Sequence, residues 1–120
     1  PQLKQKLAEM ESETFETFAS RVQKKLFQLI PSGCFGLENV AEEFGISTRT
    51  VQRNLAVENI KFNQIVKSIQ KIMAFNYLES KELSIEEIAY LVGYTETSSF
   101  YRAFKGWIGK TVLQYRKEKE

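Results

Sequence analysis

An all-α fold of about seven helices is predicted, arranged as two helix-turn-helix lobes joined by a long linker helix. Three observations predict it. Apolar residues recur at helical spacing through most of the chain and nowhere alternate with period two for long. All fifteen acids are Glu, and there are only two prolines, a composition that favours helix over strand and turn. A short pattern also occurs twice: Val40-Ala41-Glu42-Glu43-Phe44-Gly45-Ile46 matches Ile88-Ala89-Tyr90-Leu91-Val92-Gly93-Tyr94.

The elements follow in order. Residues 1–14 are polar and helix-prone, and read as a linker or the end of a preceding domain; the start at Pro without Met reads as a fragment of something larger. From Phe15, one helical face carries Phe15, Phe18, Ala19, Val22, Leu26, Leu29 and Ile30, and Pro31-Ser32-Gly33 stops that helix. A short helix over Leu37–Phe44 ends at Gly45. Ser47 then N-caps a second short helix reaching about Val57. A longer helix, about Asn63 to Ser80, has Phe62, Ile65, Val66, Ile69, Ile72, Met73 and Tyr77 at helical spacing. Ser84, with Glu87 three residues on, forms a capping box for a helix to Val92. Gly93 ends it, a helix over Thr97–Trp107 follows, and a last one runs from Thr111 to about Lys117. The lobes are expected at 15–60 and 81–117, with the connecting helix at 61–80 and a tail at 118–120.

The two copies of the repeat are offset by 48 residues, from Ala41 to Ala89 and from Gly45 to Gly93. The physics of that spacing is a helix-turn-helix: the small Ala admits a close helix crossing, and the Gly takes the positive φ of the sharp turn. The first apolar anchor of the next helix is Val51 in one copy and Phe100 in the other. A connecting helix of about 18 residues is roughly 27 Å long at ~1.5 Å per residue, against ~34 Å between successive major grooves on one side of a duplex. With the thickness of the lobes added, one chain spans two grooves without dimerising.

Charge placement agrees. Ser47–Val57 carries Arg49 and Arg53 and no acid; Thr97–Lys117 carries Arg102, Lys105, Lys110, Arg116 and Lys117 and no acid. Carboxylates gather instead on the supporting helices, at Glu38, Glu42, Glu43, Glu82, Glu86 and Glu87. Cations without neighbouring acids suit phosphates and guanines.

Composition also excludes. There is no histidine and a single cysteine, Cys34, which removes a Ser-His-Asp triad, a Cys-His pair and most zinc sites. No catalytic residue, metal or cofactor is assigned, and an enzyme is not expected. A lone cysteine forms no internal disulfide and fits a reducing compartment, the cytoplasm. No apolar run approaches the ~20 residues of a membrane span, so no membrane partner is expected.

These residues carry a resemblance. Gly45-Ile46-Ser47-Thr48-Arg49-Thr50-Val51-Gln52-Arg53 resembles the first recognition segment of the AraC/XylS transcription regulators, and Ile85 to Tyr94 followed by Ser98 to Thr111 resembles that family's more constant C-terminal half. The likeness covers roughly Phe15 to Arg116. It implies a bacterial DNA-binding domain of seven helices with two helix-turn-helix lobes, attached to a separate N-terminal sensing domain and working with RNA polymerase. Three positions depart from the family's usual residues. Val112 stands for Pro and is expected to loosen the last helix. Gln70 stands for Arg and removes a charge between the lobes. Asn59 stands for Gly, a mild change because Asn tolerates a left-handed backbone.

Site residues follow on the two acid-free helices. Arg49, Gln52 and Arg53 stand at i, i+3 and i+4, opposite Val51 and Leu55; Arg pairs bidentately with guanine and Gln with adenine. Thr97, Ser98, Ser99 and Arg102 are the corresponding base-contacting candidates, with Arg102 expected to matter most. Ser47, Thr48, Lys105, Lys110, Thr111 and Arg116 are the phosphate candidates, partly through backbone amides at helix starts. The bland alternative for each is an ordinary solvated or capping residue. On the same logic Phe100, Ala103, Phe104 and Trp107 form a buried stripe, and Tyr101 falls between the faces. The principal reading is sequence-specific binding of double-stranded DNA; the second is a helix-turn-helix module that contacts the transcription machinery.

Overall fold

A computed structural model describes residues 16–119, so the expected linker at 1–14 and the placement of Phe15 lie outside the described residues. Among the described residues seven α-helices follow one another: α1 Phe18–Leu29, α2 Leu37–Phe44, α3 Thr48–Val57, α4 Phe62–Leu78, α5 Ile85–Leu91, α6 Thr97–Ile108 and α7 Val112–Glu118. A 3-10 turn, Ile30–Ser32, closes α1, and no strand occurs among the described residues.

Four of the helix starts are set by side-chain caps. Thr17, Ser47, Ser84 and Thr111 accept from the backbone N–H groups of Ser20, Thr50, Glu87 and Gln114. Each bond satisfies an amide with no partner inside its helix, and each is worth about 1 kcal/mol. At α5 the box is reciprocal, since Glu87 Oε1 accepts from Ser84 N at 3.1 Å. Bonds from the Ser84 backbone and hydroxyl hold the Glu87 carboxyl below the usual glutamate range.

The first lobe packs α1 on α2, α3 and α4, with Val22, Leu26, Ile30, Val40 and Val51 fully buried. Glu58, just past α3, accepts from the Ala19 amide at 3.0 Å and so closes the N-terminus of α1 with a carboxylate, where the helix dipole favours one. The second lobe centres on an aromatic cluster. Phe104 is fully buried, with Phe75, Phe100, Trp107 and Tyr115 ring centroids 5.4–6.2 Å from its own.

Helix α4 serves both lobes, and this corrects two expectations. Ile72, expected on its buried face, is 47% exposed, while Gln70, Ala74 and Leu78 are buried instead. A helix shared by two cores buries a wider arc than one apolar stripe. Phe75 lies outside the expected stripe and packs on Phe104, Trp107 and Tyr115.

Candidate nucleic-acid interface

The two repeated segments fold into the same turn. Ile46 N donates to Ala41 O at 3.0 Å, and Tyr94 N donates to Ala89 O at 2.9 Å. Gly45 N donates to Glu42 O and Gly93 N to Tyr90 O, at 3.1 and 3.0 Å. Each is the closing pattern of a helix whose next residue is left-handed, with φ of 68° at Gly45 and 92° at Gly93. Ala41 and Ala89 are buried under the crossing helices, as a close approach requires. The anchors Val51 and Phe100 are fully buried.

What remains outward on α3 and α6 is the polar set. Arg49, Gln52 and Arg53 are exposed, while Val51 and Leu55 lie in the core on the opposite side of α3. Among the described residues neither arginine has a carboxylate partner. On α6, Ser98 and Arg102 are exposed and Thr97 and Ser99 half-buried. Arg102 Nη2 donates to Ser99 Oγ at 3.3 Å. Position Glu96 precedes α6 without a side-chain capping bond, so Thr97, Ser98 and Ser99 do not cap this helix. By contrast Ser47 and Thr111 are committed as caps of α3 and α7, and Thr48 is the first residue of α3.

The cations divide into three kinds. Lys105 is exposed in the last turn of α6 with no acidic partner among the described residues. Lys110 pairs with Glu118 at 2.6 Å, but both side chains are about half exposed, so the pair is weak and exchangeable. Arg116 differs from the expectation. Its Nη2 donates to Ser80 O at 2.7 Å and to Leu83 O, which ties α7 to the loop before α5 and takes that nitrogen away from any phosphate.

Comparison with known proteins decides what this repeat is. The family model described as a helix-turn-helix domain matches residues 40–118, which takes in both turns. The chain belongs to the AraC/XylS family of transcription regulators. It is 33% identical over 100 residues to the HTH-type transcriptional regulator VirS of Mycobacterium tuberculosis, covering 83% of this chain and 29% of that protein. It is 34% identical over 101 residues to the ornithine utilization regulator of Pseudomonas aeruginosa, covering 84% and 30%. The chain therefore spans under a third of the length of these relatives. The C-terminal domain of AraT, a response regulator from Geobacillus stearothermophilus, superposes with a TM-score of 0.73 at 31% identity, covering 84% of each chain.

The AraC/XylS family is one of DNA-binding transcription regulators, not an enzyme class, and the described residues contain no helix long and apolar enough to cross a membrane. Within that family's pattern, the three departures resolve as follows. Asn59 takes φ of 59°, the left-handed conformation usually left to Gly. Val112 is fully buried at the first position of α7, where the reciprocal Thr111–Gln114 box starts the helix without Pro. Burial and cap together hold the element expected to be loose. Gln70 carries no charge, yet its amide Nε2 donates to Val92 O at 2.9 Å inside the protein. A neutral hydrogen bond thus links the connecting helix to the second turn.

Proposed function

We propose that the chain reads double-stranded DNA with α3 and α6 in two successive major grooves. The observation that carries this is the duplicated turn, with matching hydrogen bonds, each followed by an acid-free helix whose outer face bears arginine. Arg49 and Arg53 pair with guanine edges and Gln52 with adenine; Arg102 is the main reader on α6, with Thr97, Ser98 and Ser99 allowing close approach. Ser47, Thr48, Lys105, Lys110 and Thr111 line the phosphates, by side chain or by the amides of helix first turns. Arg116 is left out of that set because it holds the loop before α5. Helix α4, 17 residues long, measures about 26 Å at ~1.5 Å per residue, which suits lobes one duplex turn apart.

In the whole protein this domain works with an N-terminal sensing domain, in the bacterial cytoplasm at the nucleoid. A second surface contacts RNA polymerase. Its support is the exposure of a large apolar side chain on α5, a helix that carries none of the reading residues: Tyr90 is 72% exposed.

Salt separates DNA reading from a module that only binds protein. Binding of the 120-residue chain to its own selected duplex is expected to weaken steeply between low and moderate salt, by about one power of salt per phosphate contact. An affinity flat in salt overturns the proposal.

A further inference from the structure

The two turns are alike in backbone and unlike in surroundings. A Cβ added at Gly45 meets nothing within 4 Å, whereas one added at Gly93 falls 2.7 Å from both Cε1 and Cζ of Phe35 and 3.3 Å from Gln70 Nε2. Phe35 belongs to the first lobe, in the loop between the 3-10 turn and α2. Its ring also lines a groove of about 610 Å³ whose other walls include Gln52 and Leu55 of α3. Gln70, buried in α4, adds its bond to Val92 O one residue before Gly93. A loop of the first lobe, the connecting helix and the turn of the second lobe thus meet at one point. The packing of α5 on the 3-10 turn extends the same contact. The lobes are joined across a second seam, not only through α4.

We infer that Phe35 and Gln70 set the relative orientation of the two reading helices, and with it the base-pair spacing that the domain accepts between half-sites. A single helix joining two lobes leaves them free to twist about its axis and ends. A ring pressed on the turn that aims α6, beside the wall of α3, removes that freedom. Phe35 and Gln70 act here as positioning residues: neither needs to touch DNA. The inference rests on the two-groove reading of the preceding section.

The test uses the 120-residue chain and the tightest duplex it selects from a random-sequence pool, with two base pairs then inserted between the half-sites. Insertion rotates one half-site by about 70° relative to the other. The parent is expected to lose about tenfold or more in affinity, because one helix forfeits its base contacts. Phe35→Ala is expected to cut that penalty to about threefold while binding each isolated half-site within about twofold of the parent. Phe35→Leu refills the space and should restore the penalty. Gln70→Met keeps the buried volume without the donor, so it remains a folded test if Phe35→Ala does not fold; it should relax spacing in the same direction. A parent penalty kept in full by both Phe35→Ala and Gln70→Met overturns the inference alone. A parent indifferent to the insertion overturns the two-groove reading, and this inference with it.

Discussion

Arg102 reaches back one helical turn and donates to the hydroxyl of Ser99 at 3.3 Å on the outer face of α6. The bond orients a guanidinium before any ligand arrives, so less side-chain freedom is lost on binding. Arg102→Ala is expected to cost ~1–3 kcal/mol on the selected duplex and to relax base preference at one position. Arg102→Lys should not restore it, because lysine lacks the planar fork. Quantitative binding to single-base variants of the duplex checks both. Arg49→Ala is expected to behave alike at the other half-site.

Lys105 and Arg116 are both cations of the second lobe, and they should fail in different assays. Lys105→Ala should weaken binding evenly across sequences and lower the salt slope by about 1. Arg116→Ala should leave the slope unchanged and lower stability by about 1–3 kcal/mol, since the Ser80 and Leu83 carbonyls lose a charged donor. Salt titration and chemical denaturation of the two variants distinguish these roles.

Phe104 is fully buried between Phe75, Phe100, Trp107 and Tyr115. Phe104→Ala is expected to cost ~3–5 kcal/mol, the lost transfer energy plus an unfilled cavity. Thermal unfolding followed by circular dichroism reads the loss.

The carboxyl of Glu87 is held low by the amide and hydroxyl of Ser84. A depressed folded-state value means that the capping box stabilises fully above the unfolded glutamate range and loses that contribution as pH falls through the folded value. Stability should therefore decline on the acid side of the glutamate range. Glu87→Gln keeps the capping pattern without the titration, so its stability should fall less over the same interval.

Much of this was legible because it is local. Ser47 and Ser84 cap amides three residues away, Gly45 and Gly93 close their own helices, and the Phe100–Phe104–Trp107 stripe follows from helical spacing alone. What escaped was decided by residues far along the chain. Glu58 meets Ala19 across 39 positions, and Arg116 meets Ser80 across 36. Phe75 lies off the single stripe that periodicity reveals, because α4 has two cores to serve. Gln70 read as a lost charge, since nothing in its neighbourhood announces the Val92 carbonyl that its amide meets. The acid-free outer faces of α3 and α6 were legible in the distribution of charge, whereas the bonds of Arg116 to the Ser80 and Leu83 carbonyls were not, being tertiary.

The central claim is that two lobes of one chain occupy two successive major grooves. Hydroxyl-radical footprinting of the selected duplex, read on both strands at base resolution, tests it most directly. Two protected stretches centred about 10.5 base pairs apart, on one side of the helix, are predicted. Arg49→Ala should open one stretch and Arg102→Ala the other. A single protected stretch, equally weakened by both substitutions, would contradict the account.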